Sequence, residues 1–334
     1  IPGVYVQETD GVPYRLKEPF DFSFLGAYGR VFKVYDDQDS GNICFGLEKD
    51  GARYFLKFAG APTVWGTASP EAAVKSLKVA APLYRTLRHE NLVELIESGP
   101  LGGGWGLLFR WTDGVSMGRM YPAQHKRFMA LPEAERLRAF EGILQFHIHA
   151  AEKGYAAVDF YDGTVMYDVK AHKAVLCDID FYREAPFTNE MGRMWGSLRF
   201  MAPEELARGA VIDEVTNVYA MGAMAFALFG GYSRARADWQ LGEAAYRAAV
   251  RAVCDARGAR YRTIASFRAA WTAALRADEA QRKAQGRAGT AVPAAHPSRG
   301  NRARRTHISP PPAGHNTIPL PQNLPHQRQN RQKS

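Results

Sequence analysis

An α+β fold follows from three changes of pattern along the 334 residues. Short strand-like runs parted by turn residues, with one helix among them, fill residues 1–113. Helical periodicity dominates residues 114–276. From residue 277 the composition turns basic and proline-rich, and residues 277–334 are expected to be a disordered tail.

Residues 1–20 form a leader rich in turn residues. Residues 31–35, Val-Phe-Lys-Val-Tyr, predict a strand, and residues 36–42 its turn. Residues 43–47 and 53–58 predict two strands joined through Lys49-Asp50-Gly51, a hairpin signal. Ser69-Pro70-Glu71 is a helix start, with a capping serine, proline in the first turn and then an acid. Pro82 is expected to kink or end that helix, because it lacks an N–H and its ring crowds the preceding turn. Residues 92–97 and 106–111 complete a mostly antiparallel sheet. Beyond Gly114, residues 132–153 predict a long helix stopped at Gly154. Two short strands follow at 165–167 and 174–177, then helices at 203–208, 214–229, 241–256 and 263–276.

Composition narrows the function classes. Residues 280–334 hold ten Lys or Arg and no Asp or Glu, so they carry +10 of a net +9 and leave −1 for the remainder. The folded part is therefore not expected to be a basic nucleic-acid binder, and a weak polyanion contact belongs to the tail around Arg302, Arg304 and Arg305. The most apolar stretch, 218–232, is shorter than the roughly 20 residues that span a bilayer, so no membrane span is expected. Cys44, Cys177 and Cys254 lie far apart in no ligand spacing. They predict free thiols in a reducing, cytoplasmic setting, with no zinc. No secretory leader is read at the start. His147 and His149, two apart on a helix, face different sides and predict packing or surface roles.

Three residues carry the chemistry. Lys57 lies near the end of the run Arg53-Tyr54-Phe55-Leu56-Lys57-Phe58. Asp159 follows Gly154-Tyr155-Ala156-Ala157-Val158, and Asp178 closes Ala174-Val175-Leu176-Cys177-Asp178. Phosphoryl transfer needs a cation on the phosphates, a carboxylate near the attacking hydroxyl and a carboxylate on Mg²⁺. These three residue types supply that set. Further along stands Gly196-Ser197-Leu198-Arg199-Phe200-Met201-Ala202-Pro203-Glu204-Glu205.

Taken together, these motifs resemble the eukaryotic-type serine/threonine protein kinase family, in a divergent bacterial-looking form, over about residues 22–276. The resemblance implies a bilobal fold: an antiparallel-sheet N-lobe (1–113, with the leader), a mainly helical C-lobe (114–276), and ATP with Mg²⁺ between them. It implies Lys57 on phosphate, Asp159 on the acceptor hydroxyl and Asp178 on the metal. Gly26 and Gly29 stand as the second and third glycines of a phosphate loop, followed by Val31. Phe109 to Thr112 would form the hinge, with Phe109, Thr112 and Met166 around the adenine. Glu204 would pair with Arg260, and Asn217 stands where an aspartate braces the catalytic loop.

Departures from the family pattern leave alternatives open. Phe24 replaces the first glycine, Phe55 stands where a small residue faces adenine, and Tyr161 replaces a lysine. Thr164 stands where the metal-binding asparagine is expected and is a candidate ligand through its hydroxyl oxygen, with Asp162 nearby to compensate. The helix glutamate that pairs with the lysine falls on Ala80, with Glu71 as a weak substitute. Asp180, two residues past Asp178, is expected to share its side and to act as a second metal ligand; a competing register puts the motif at Asp180-Phe181-Tyr182. The expected function is transfer of the γ-phosphoryl group to protein Ser/Thr hydroxyls, with the protein substrate unnamed. A pseudokinase serving as a binding module is the alternative, and a small-molecule phosphotransferase the third reading.

Overall fold

A computed structural model describes residues 3–290. Its described part is mixed α/β, with antiparallel sheets and six α-helices. The leader is not irregular. Tyr5–Thr9 and Val12–Leu16 form an antiparallel hairpin, turned at Asp10 and Gly11, both in the left-handed region.

The main sheet has five strands, in the order Arg30–Tyr35, Asn42–Lys49, Ala52–Ala59, Gly104–Arg110, Leu95–Leu101. Strand alternation divides its faces. Ile43, Phe45, Leu47, Leu56 and Phe58 point to one side, where Tyr14, Leu16, Phe22 and Leu25 cover them. Phe22 meets Phe45 at 5.1 Å between ring centroids and Tyr14 at 5.6 Å. Such aromatic contacts add to the burial itself. On the other face Ala59, Leu107 and Phe109 join a core that runs through the helix Pro70–Thr86 into the helical half.

Pro70–Thr86 starts as its sequence predicts, with the Ser69 hydroxyl accepting the Ala72 N–H at 3.2 Å. It does not end at Pro82 but continues for another turn to Thr86. That extra turn carries Tyr84 into the core. Backbone bonds then join the two halves: Leu176 N–H donates to Asn91 O (2.7 Å), and Val93 N–H to Leu176 O (2.8 Å). They fix the end of strand Lys173–Leu176, immediately before Asp178, against the strap that leads into Leu95–Leu101.

In the helical half, Glu133–Glu152, Glu214–Phe229 and Glu243–Ala252 sit near their expected positions, and Pro122–Met129 is an additional helix. Residues 203–206 form only a 3₁₀ turn. The last helix, Ile264–Thr290, runs 14 residues beyond its expected end. Residues 277–290 therefore do not belong to a disordered tail. Asp278 is buried and accepts the Ala244 and Ala245 N–H groups at 2.9 and 3.0 Å, capping Glu243–Ala252 from outside its own segment. A side chain at Gly242 would strike this carboxylate. The remaining tail, 291–334, lies outside the described residues. No described helix is long and apolar enough to cross a membrane.

Candidate phosphotransfer site

Lys57 sits on Ala52–Ala59 opposite Cys44 and Leu107, on the inward face of the sheet. Its ammonium lies 2.5 Å from Asp180 Oδ2 and 3.4 Å from Asp178 Oδ2. Burial alone would lower the lysine's pKa. The two carboxylate charges more than reverse this and hold it above the ordinary value, so Lys57 is a cation at neutral pH.

Strand Lys173–Leu176 ends before either aspartate. Both carboxylates still reach the one Lys57 ammonium, but they differ in exposure. Asp178 keeps 48% of its side chain exposed, whereas Asp180 keeps 9%. Asp178 Oδ1 accepts the Asp180 N–H at 3.2 Å, while its Oδ2 reaches Lys57. Asp180 Oδ1 accepts the Tyr84 hydroxyl at 2.7 Å, and Tyr84 in turn accepts the Ile179 N–H at 3.3 Å. Asp180 is thus the lysine's nearer counter-ion. Glu71 is exposed at the far end of the helix, and Ala80 is fully buried.

Asp159 lies in a loop held by Asn217, whose Oδ1 accepts the Ala157 N–H (2.6 Å) and whose Nδ2 donates to Ala157 O (2.9 Å). Both amide groups are satisfied by one residue, so the loop is pinned two residues before Asp159. Asp159 has φ 60°. Left-handed backbone is uncommon outside glycine, and side chains held in it cluster at functional sites. Burial, then the charges of Asp178 and Asp39, raise its carboxyl to about 7. A carboxyl in that range is suited to taking a proton from a hydroxyl.

Beside these residues is an apolar cavity of about 110 Å³ lined by Tyr35, Phe55, Val93, Phe109, Trp111, Thr112, Met166 and Cys177, among others. Phe109, Thr112 and Met166 are thus brought together as expected. Phe55 forms a wall, 5.8 Å from Tyr35 and 6.5 Å from Trp111 between centroids, and does not fill the space. Trp111 N–H donates to Arg53 O at 3.2 Å as the sheet ends, so Thr112 stands just past its edge.

The three residues of the expected phosphate loop are elsewhere. Gly26 lies within the 3₁₀ turn Ser23–Ala27, whose Leu25 is buried under the outer face of the sheet. Gly29, at φ 129°, packs against strand Asn42–Lys49, where a Cβ would come within 2.5 Å of Glu48 O. Val31 pairs with Leu47 and points to the outer face, away from Lys57. The turn that does adjoin the site is Asp36-Asp37-Gln38-Asp39-Ser40-Gly41, between strands Arg30–Tyr35 and Asn42–Lys49. It is near enough for the charge of Asp39 to act on Asp159 and Tyr161, and that of Asp37 on Tyr121.

Thr164 is also turned away: it is buried and its hydroxyl donates to Tyr161 O at 2.8 Å. Asp162 is buried, and its Oδ2 accepts the Arg119 N–H (3.2 Å) and the Tyr232 hydroxyl (2.5 Å). Among the described residues no three His, Cys, Asp or Glu side chains converge as a metal group. Asp178 alone still suits Mg²⁺, which commonly takes one or two carboxylates and completes its shell with substrate phosphates and water.

The expected structural pair is present. Arg260 Nη1 and Nη2 meet Glu204 Oε1 and Oε2 at 2.6 and 2.9 Å, and Arg257 Nη1 adds a third contact at 3.0 Å. His147 is buried; its Nδ1–H donates to Ile143 O (2.7 Å), so Nε2 accepts from the Tyr182 hydroxyl (2.8 Å). Burial lowers its pKa to about 4, which fits a neutral packing residue.

Sequence reasoning missed Tyr84 and the acidic turn. Tyr84 had a signal: Ala73, Leu77, Ala80, Ala81 and Tyr84 are the buried stripe at helical spacing. Compared with known proteins, the sequence matches no family model and no curated protein.

Proposed function

We propose that the chain is a bilobal, protein-kinase-like phosphotransferase that takes ATP with Mg²⁺ between its sheet half and its helical half and phosphorylates Ser or Thr hydroxyls of a protein. The observation that carries this reading is the contact of Lys57 with Asp178, beside an apolar cavity and close enough to Asp159 for their charges to act on it. ATP·Mg²⁺, when bound, supplies the phosphoryl group and the charge that neutralises it. Tyr35, Phe55, Phe109, Thr112 and Met166 would enclose the base. Lys57 would bind phosphate oxygens, Asp178 would hold the cation, and Asp159 would orient the acceptor hydroxyl and take its proton. The Glu204–Arg260 pair anchors the segment 196–205, which in this reading bears the protein substrate.

One observation favours the pseudokinase reading, a nucleotide- or protein-binding module without turnover. The turn facing the phosphate position is acidic and has one glycine where backbone N–H groups would be wanted. Incubation with γ-labelled ATP and generic protein substrates separates the two. We expect labelled phosphoserine or phosphothreonine, with a rate that rises through pH about 7 as Asp159 ionises. Nucleotide binding without any transfer would establish the binding module instead.

A further inference from the structure

In the family that this chain resembles, the strand lysine is paired with a helix glutamate. Here the helix Pro70–Thr86 has one acid, Glu71, exposed in its first turn. What the helix offers at its other end is a phenol. Tyr84 is buried and touches the segment 178–180 twice: its hydroxyl donates to Asp180 Oδ1 and accepts from Ile179 N–H.

We infer that Asp180, braced by Tyr84, is the positioning residue for Lys57, and that it acts as a counter-ion and not as a metal ligand. Lys57 occupies Oδ2 and Tyr84 occupies Oδ1. Each oxygen thus accepts a strong hydrogen bond, one of them from a cation. To ligate a metal, Asp180 would have to release one of these partners where little water can replace it, and breaking a buried ion pair is costly. Asp178 is held less tightly: its Oδ1 accepts only the Asp180 N–H, at 3.2 Å. It is half exposed, and its contact with Lys57 is long at 3.4 Å. One carboxylate therefore sets the lysine, and the other faces the ligand. Because Tyr84 belongs to the helix, a shift of the helix end would move Asp180, and Lys57 with it.

The inference rests on the nucleotide reading only for the identity of the ligand, and the test treats the two separately. Binding of ADP to the full chain is measured by calorimetry, with and without Mg²⁺, for wild type, Asp180→Ala, Asp180→Asn, Tyr84→Phe and Asp178→Ala. Asp180→Ala should weaken Mg²⁺-free binding by about tenfold and Tyr84→Phe by roughly threefold, since each loosens Lys57. In both, the factor by which Mg²⁺ improves binding should match wild type, whereas Asp178→Ala should erase that factor. An Asp180 variant that binds Mg²⁺-free ADP like wild type but loses the Mg²⁺ factor would overturn the assignment. Asp180→Asn gives the same comparison if the alanine variant does not fold.

A wild type that binds no ADP would remove the nucleotide reading and leave the bracing to a thermal-stability cycle. The cost of Tyr84→Phe should fall by at least half when Asp180 is already alanine. Equal costs in the two backgrounds would show that Tyr84 does not act through Asp180.

Discussion

On the helical side of the cleft, Asp159 is carried on a loop pinned by Asn217, and the segment ending at Glu205 is clamped through Glu204 to a fully buried arginine. On the sheet side, the lysine is present, but the turn beside it carries Asp37 and Asp39, with Asp36 paired to Arg15, and Gly26 and Gly29 precede the strand at the other end of that hairpin. In the proposed reading, the groups that would orient an acceptor hydroxyl are braced at several points. The groups that would close over a triphosphate are largely replaced by negative charge. On the proposed function, the hold on nucleotide would come from the apolar cavity, Lys57 and a cation at Asp178, and little from backbone N–H groups.

The comparison can be broken at its firmest point first. Glu204→Ala leaves Arg260 buried without its carboxylate partner and should cost about 3–5 kcal/mol, lowering the melting temperature by roughly 10 °C. A loss of only a degree or two would show that the clamp is not what holds the helical side. Next comes chemistry: Asp159→Asn should reduce γ-phosphoryl transfer by on the order of 10²-fold, while ADP affinity measured by calorimetry stays near wild type. Transfer equal to wild type would remove Asp159 from the mechanism.

The sheet side predicts a gain. Replacing Asp37 and Asp39 together by asparagine should strengthen ATP binding about three- to tenfold at low salt, with the gain shrinking as salt screens the charges. Unchanged affinity would mean that the turn does not face the phosphates. The smallest effect is a pH dependence of stability. A carboxyl raised to about 7 in the folded chain stabilises it while protonated, and that contribution is lost as pH rises from the ordinary Asp value through about 7. Asp159→Asn stays neutral, so relative to wild type it should gain about 1 kcal/mol at pH 8, after allowance for solvent screening. It should gain nothing near pH 4. A constant difference between thermal melts at the two pH values would show that Asp159 is not raised.

What could be read from the sequence follows the same divide. The Glu204–Arg260 pair, the bracing by Asn217 and the cavity residues Phe109, Thr112 and Met166 were legible, because each lies in a run whose order in the chain fixes its place. Gly26, Gly29 and Val31 were misplaced because a glycine pair before a strand looks alike at either end of a hairpin. Only the pairing of Val31 with Leu47 shows which face it joins. The leader hid a hairpin because its strands are short, and it covers the outer sheet face through aromatic contacts distant in sequence. Asp178 and Asp180 do reach one ammonium, but their unequal exposure was not legible, because the strand stops at Leu176 and no period sets the side chains beyond it. The pairing of Lys57 with Asp180 spans 123 residues, and a sequence period does not reach that far. Asp278 looked like the start of a tail, but its carboxylate caps a helix 33 residues earlier.

The central claim is that the cleft between the sheet and helical halves binds a nucleotide through Lys57 and a cation at Asp178. Calorimetric titration of the full chain with ATP and ADP, each with and without Mg²⁺, tests it most directly. The account predicts saturable binding of one nucleotide per chain, strengthened by Mg²⁺ and lost or much weakened in Lys57→Met. No heat of binding under either condition, or binding that ignores both Mg²⁺ and Lys57, would contradict it.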